Sequence, residues 1–187
     1  IASHYGGTTN GVVIHWPMRI KANGEIRSQF THVTDIAPTV LEATGLPFPK
    51  SVNGTAQRPF DGTSMIYTFD DSKARETHTT QYFEMFGNRG IYHKGWTAVT
   101  KHRTPWDTGM VKTIAFDDDV WELYDTSKDW SQAKDLAKEQ PEILHRLQQL
   151  WLLEAAKYNV LPLDDRCFGC EEKSGDRLAG VAAESVS

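Results

Sequence analysis

The chain has 187 residues, of which 39% are hydrophobic and 24% charged, and its formal net charge is −5. This composition is typical of an ordinary globular domain, and the negative charge argues against the basic surface that nucleic-acid binding requires. No apolar run approaches the roughly 20 residues of a membrane-spanning helix, so the sequence predicts no membrane span.

The first predicted element is a buried strand over residues 12–16, which form an almost continuous apolar run. Pro17 ends this run, because proline has no N–H group to donate to a sheet. His15 lies inside the run and is therefore predicted to be a histidine of the core rather than a functional residue.

The second predicted element is a helix that begins at Asp35 and continues to Thr44. Asp35 is the predicted N-cap, whose carboxylate accepts hydrogen bonds from the free N–H groups of the first turn. Pro38 lies in that turn, where no intrahelical donor is lost. Gly45 follows at the position where a left-handed residue commonly ends a helix.

Residues 80–125 predict a small antiparallel sheet of four short strands. Runs rich in aromatic and β-branched residues alternate there with turn signals, among them the Asn-Arg-Gly sequence at residues 88–90. The acidic run at residues 117–119 is predicted to be a solvated loop.

The clearest predicted helix begins at Pro141 and continues to about Tyr158. Its apolar residues recur at steps of three and four, so they form one stripe that must pack against another element. We expect Leu147 and Trp151 to be buried against the small sheet. Residues after Arg166 are rich in Gly, Ala, Ser and Glu, which predicts a disordered tail.

Three segments share their order and spacing with one enzyme family. They are Ser-His-Tyr-Gly-Gly at residues 3–7 ahead of the apolar run, Asp-Ile-Ala-Pro-Thr at residues 35–39, and Leu-Tyr-Asp at residues 123–125. Together they resemble the carboxy-terminal portion of the type I sulfatases, the arylsulfatase-type enzymes of the alkaline-phosphatase-like superfamily.

The resemblance implies an α/β fold, of which this chain is the carboxy-terminal part. Residues 1–78 are then the end of the α/β core domain, with its last core strand and helix. Residues 79–166 are a C-terminal subdomain, in which a four-stranded antiparallel sheet is packed by the long C-terminal helix. Residues 167–187 are the tail.

Type I sulfatases hydrolyse sulfate esters with a formylglycine made in a (Cys/Ser)-x-Pro-x-Arg motif and with a divalent cation, commonly calcium. No Cys or Ser of this chain opens such a motif, and the resemblance places the family's metal ligands ahead of it. We therefore expect formylglycine and Ca²⁺ in the longer parent enzyme, with no catalytic residue or metal ligand here. The expected partners are the missing N-terminal part and a sulfate ester substrate.

His4 and Tyr5 are the candidate substrate-pocket residues. The resemblance places them between the family's sulfate-binding lysine and the glycine pair at residues 6–7. The alternative for both residues is a capping or packing role at the head of the predicted strand.

Three functions remain open. The chain is the C-terminal portion of an arylsulfatase and inactive alone, or part of a phospho- or phosphonate hydrolase of the same superfamily, or a non-catalytic binding or assembly module. The nucleophile motif of the longer sequence would separate these alternatives.

Both ends of the chain carry a further expectation. The sequence begins at Ile1 without a signal-peptide pattern, which predicts a piece of a longer protein. Localisation is therefore open, and a periplasmic or secreted location fits the parent enzyme. Cys167 and Cys170 are predicted to be a chance pair, because a structural zinc site needs four ligands and no second pair exists.

Overall fold

The computed structural model describes residues 3–104 and 115–164. The α-helices are α1 (Tyr5–Thr8), α2 (Ile36–Thr44), α3 (Tyr67–Asp70) and α4 (Pro141–Lys157). The strands are β1 (Ser51–Val52), β2 (Thr55–Ala56), β3 (Thr80–Met85), β4 (Asn88–His93), β5 (Trp96–Thr100) and β6 (Trp121–Asp125). Short 3₁₀ helices at Val33–Asp35 and Phe116–Asp118 precede α2 and β6.

Strands β3, β4, β5 and β6 form one antiparallel sheet in sequence order, as the sequence predicts. The turn between β3 and β4 consists of Phe86 and Gly87, whose φ angles of 52° and 82° suit a two-residue hairpin turn. A Cβ atom at Gly87 would also lie 2.7 Å from the ring of His102, so the lack of room for a side chain favours glycine in addition to the positive φ angle. The turn predicted at residues 88–90 is wrong, since these residues begin β4.

Helix α4 covers one face of this sheet and forms the core of the described chain with it. The fully buried residues of this core are Ile91, Ala98, Leu123, Leu147, Trp151 and Ala155. Trp151 Nε1 also donates a hydrogen bond of 3.1 Å to the carbonyl oxygen of Phe83 on β3. The predicted burial of Leu147 and Trp151 is confirmed, with exposed fractions of 2% and 3%.

Helix α2 ends as the sequence predicts. Gly45 has a φ of +68°, and its N–H group donates to the carbonyl oxygen of Glu42. The N–H group of Leu46 donates to Leu41, so the last turn of the helix is closed by backbone bonds.

The start of α2 differs from the prediction, because the carboxylate of Asp35 does not cap its own helix. It is buried and accepts from the backbone N–H groups of His32 and Thr63, each at 2.8 Å, and contacts His78 Nδ1 at 2.8 and 2.9 Å. Burial alone would raise the pKa of Asp35, but these hydrogen bonds hold it below its usual value. Burial would lower the pKa of His78, but the bond to Asp35 raises it.

The strand predicted over residues 12–16 is not formed among the described residues. This segment has no strand assignment, Val13 is 95% exposed, and His15 is exposed as well. Apolar character alone does not make a strand, because its backbone groups need a neighbouring strand for their hydrogen bonds. In the described chain His15 is therefore exposed and lies in no core, and its place in the longer protein stays a prediction.

The acidic run at residues 117–119 is also not the wholly solvated loop that was predicted. The side chain of Asp119 is 1% exposed and contacts Arg89 Nη2 at 2.5 Å and His102 Nδ1 at 2.9 Å. Arg89 in turn lies over the rings of Trp121 and Trp151. This buried ion cluster ties the loop before β6 to strand β4.

Two expectations concern the rest of the chain. The predicted tail at residues 167–187, with Cys167 and Cys170, lies outside the described residues. Within the ranges that are described, no helix has the length and hydrophobicity needed to cross a bilayer.

Candidate functional site

The two predicted pocket residues lie on the face of the four-stranded sheet that is opposite α4. Side chains alternate along a strand, so the neighbours of the core residues point away from the helix. We call this surface, formed by Tyr92, Thr97, Glu122 and Tyr124, the far face. Residues 3–5 contact this part of the structure, and Ser3 lies so close to Gly90 of β4 that a Cβ atom on Gly90 would be 3.2 Å from the Ser3 Cβ.

His4 is held on the far face by a carboxylate of strand β6. Its Nε2 atom lies 2.6 Å from Glu122 Oε2, and the hydroxyl of Tyr124 donates to the same oxygen at 2.7 Å. An ionised carboxylate can only accept hydrogen bonds, so this contact fits the imidazole tautomer with its N–H at Nε2. The rings of His4 and Tyr124 meet edge to face at 6.4 Å.

Tyr124 serves as a permanent donor in this group. Burial, together with the hydrogen bond to the Glu122 carboxylate, raises the pKa of Tyr124 well above its usual value. The phenol therefore keeps its proton over the whole physiological pH range and remains a donor to the Glu122 carboxylate.

Tyr5 is held through its backbone. Its N–H group donates to Gln132 Oε1 at 2.7 Å, and Gln132 Nε2 donates to Thr97 Oγ1 on β5 at 3.0 Å. Gln132 has a φ of +56°, a left-handed conformation that is uncommon outside glycine and that needs support from its surroundings. The phenol of Tyr5 is itself partly buried, and this burial raises its pKa.

A second tyrosine and carboxylate pair lies on the same face. The hydroxyl of Tyr92 donates to the carboxylate of Glu76, with distances of 3.0 and 2.8 Å to its two oxygens. Phe30 stacks on the Tyr92 ring with a centroid distance of 3.8 Å. Burial and the nearby Glu76 raise the pKa of Tyr92, so it too remains a neutral donor.

The structure thus brings His4 and Tyr5 together on one surface and adds residues that the sequence did not single out. Glu122 and Gln132 are 118 and 127 residues away from their partners, and no local pattern connects them. Within the described part of the chain, Ser3 Oγ and His4 Nδ1 are buried without a hydrogen-bond partner. The role of His4 and Tyr5 in a substrate pocket stays a prediction.

The far face does not have the ligands of a metal site. In residues 3–104 and 115–164, no group of three or more His, Cys, Asp or Glu side chains is arranged so that it could hold a metal ion.

Comparison with known proteins identifies one family. The sequence profile of the N-sulphoglucosamine sulphohydrolase C-terminal domain matches residues 7–155. An uncharacterized sulfatase of Schizosaccharomyces pombe is 31% identical over 162 residues, which are 86% of this chain and 27% of that protein. The chain thus spans about a quarter of the length of this curated relative.

Two solved structures have a similar fold. The structure of BT4656 in complex with its substrate D-glucosamine-2-N,6-O-disulfate matches with a TM-score of 0.53 and 18% identity, over 80% of this chain and 28% of that chain. The crystal structure of Ps i-CgsB matches with a TM-score of 0.52 and 18% identity, over 82% of this chain and 29% of that chain. At this identity the likeness concerns the fold alone, and it confirms the sheet and C-terminal helix predicted from the sequence.

Proposed function

This chain belongs to the sulfatase family and corresponds to its C-terminal portion, and we propose that the longer protein containing it hydrolyses sulfuric esters. The match to the family's C-terminal domain over residues 7–155 carries the proposal. The relative from Schizosaccharomyces pombe supports it, because that protein is described as a sulfatase. This chain aligns with only 27% of that protein, so the proposal concerns the longer protein.

We further propose a division of labour between this chain and the rest of the enzyme. The nucleophile, a formylglycine, and the calcium site belong to the rest, since the sequence has no (Cys/Ser)-x-Pro-x-Arg motif. This chain contributes His4 and Tyr5 as residues of the substrate pocket. The two parts of the chain are the end of the catalytic α/β core at residues 1–78 and the C-terminal subdomain at residues 79–166.

Exposed apolar side chains in the first part support this division. Val12, Val13 and Ile14 are exposed, and so are Ile36 and Val40 on helix α2. Val12, Val13 and Ile14 are consecutive, and contiguous exposed apolar residues are typical of a protein interface. We propose that the rest of the catalytic domain covers it, and that the segment at residues 12–16 becomes a strand there.

The proposal predicts that this polypeptide alone does not hydrolyse sulfate esters. A nucleophile and a charge-stabilising site act as a unit, so their joint absence lowers the rate by several orders of magnitude. We would assay purified residues 1–187 and the longer protein side by side with an aryl sulfate, in the presence of calcium. Turnover only by the longer protein is the expected result.

The alternatives give different outcomes in the same assay. Preference of the longer protein for a phosphate or phosphonate ester would assign it to phosphoryl chemistry instead. No turnover of any ester by the longer protein would favour a binding or assembly module. Turnover of an aryl sulfate by residues 1–187, in a preparation free of host sulfatase, would contradict the division of labour.

A further inference from the structure

We propose that Glu122 and Tyr124 are positioning residues, which act through His4 and fix one wall of the substrate pocket from the C-terminal sheet. Neither residue needs to touch the substrate. The inference rests on the proposed function, because the orientation of His4 matters for turnover only if the longer protein hydrolyses sulfate esters.

The first support is the convergence of two donors on one atom. Glu122 Oε2 lies 2.6 Å from His4 Nε2 and accepts a hydrogen bond from the Tyr124 hydroxyl at 2.7 Å. Hydrogen bonds to a charged group are shorter and roughly twice as strong as neutral ones. Glu122 also lies in the interior of β6, where it pairs with Val99 of β5. The orientation of the imidazole is therefore set by a strand of the sheet.

The second support is that the anchoring is repeated at three consecutive residues. Ser3 packs against Gly90, His4 binds Glu122, and the N–H group of Tyr5 donates to Gln132. Contacts at successive positions hold both the backbone and a side chain of residues 3–5. Groups that are ordered before the substrate arrives lose less conformational freedom on binding. A displacement of about 1 Å in such a segment can lower a rate about 100-fold.

The chain supplies its own matched control. Tyr92 and Glu76 form a second tyrosine–glutamate pair on the same face, with similar distances between hydroxyl and carboxylate. In this pair Tyr92 donates to Glu76, whereas Tyr124 shares the Glu122 carboxylate with His4. Glu76→Gln and Tyr92→Phe therefore remove the same chemical groups from the same surface. An effect limited to the Glu122 pair cannot come from a general loosening of the far face.

The main experiment is a double-mutant cycle in the longer sulfatase, with kcat and KM measured for an aryl sulfate. We expect Glu122→Gln to lower kcat/KM about tenfold, the size of one hydrogen bond to a charged group. Tyr124→Phe should have a smaller effect in the same direction. In a His4→Ala background, Glu122→Gln should cause no further loss, because Glu122 acts only through the imidazole. Glu76→Gln and Tyr92→Phe should lower kcat/KM less than Glu122→Gln does.

A second measurement on residues 1–187 follows the imidazole itself. In nitrogen-15 NMR we expect a protected Nε2–H proton for His4, which exchanges faster in Glu122→Gln, because a neutral amide oxygen is a weaker acceptor, and which is unchanged in Glu76→Gln. The thermal midpoints of both variants are recorded alongside, so that a folding defect is recognised.

The outcomes separate the two proposals. Two results overturn the positioning role alone, provided that the wild-type enzyme is active. The first is that the effects of Glu122→Gln and His4→Ala on kcat/KM simply add. The second is that Glu122→Gln is as active as wild type. A wild-type longer protein without sulfate ester turnover overturns the proposed function, and the positioning role with it.

Discussion

Truncation of Leu147 to alanine tests the packing of helix α4 on the sheet. The side chain is 2% exposed and belongs to the buried cluster that includes Ile91 and Leu123. Leu147→Ala removes the equivalent of three methylene-sized groups from this cluster, at about 0.8 kcal/mol each. The cavity left behind adds to this cost, because the neighbouring strands can relax only in part.

The expected loss of unfolding free energy is therefore about 3 kcal/mol, inside the 2–5 kcal/mol range of comparable substitutions. For a chain of this size each kcal/mol lowers the thermal midpoint by about 2–4 °C, so we expect a shift of roughly 6–12 °C. Urea denaturation followed by far-UV circular dichroism measures the free energy, and a thermal melt measures the shift.

Leu153→Ala is the matched control, since the same substitution is made in the same helix at a position that is 67% exposed. It should change the unfolding free energy by less than about 0.5 kcal/mol. A loss below about 0.5 kcal/mol for Leu147→Ala as well would show that α4 does not pack on the sheet as described.

Two further predictions concern the region around Asp35. The raised pKa of His78 stabilises the folded protein below about pH 6.5, and this stabilisation is lost as the pH rises through the raised value. The lowered pKa of Asp35 stabilises it above about pH 4, and this stabilisation is lost on further acidification. Asp35→Asn should therefore destabilise the protein by about 3–5 kcal/mol at pH 5.5 and by less at pH 8.5, as measured by urea denaturation. Gly62→Ala should cost at least about 2 kcal/mol in the same assay, because its Cβ atom would lie 2.2 Å from the carbonyl oxygen of Thr34.

Each of these variants has a control on the surface. Asp61→Asn breaks an exposed ion pair with Arg58 and should cost less than about 1 kcal/mol at either pH. Gly11→Ala places its Cβ atom in open space and should be close to neutral. Equal losses for Asp35→Asn at pH 5.5 and 8.5 would refute the ion pair, and a neutral Gly62→Ala would refute the close approach to Thr34.

The elements that the sequence predicts correctly are those whose signals are local. Helix α4 follows from apolar steps of three and four residues after Pro141, and the end of α2 follows from Gly45. Both depend on residues within one or two turns of each other. The meander of β3 to β6 is also local, because each strand pairs with the next strand in the sequence.

The predictions are wrong where the environment of a residue depends on a partner that is distant in the sequence. Asp35 is a residue type that commonly caps a helix, yet two of its three partners, Thr63 and His78, are 28 and 43 residues away. The sequence predicts that Asp119 is part of a solvated run, but its side chain is buried in contact with Arg89, which is 30 residues away. For the candidate site, His4 and Tyr5 were identifiable only through a family resemblance, and Glu122 only through the fold.

The connectivity of the far face has a consequence for the order of folding. The turns of the meander join residues that are close in sequence, whereas the contacts of His4 and Tyr5 close loops of 118 and 127 residues. Local contacts form early, and the entropy lost on closure grows with the length of the loop. We therefore expect β3 to β6 to assemble first and residues 3–8 to dock last. In hydrogen exchange, the amide of Tyr5 should exchange by a local opening long before the amides of β4 and β5.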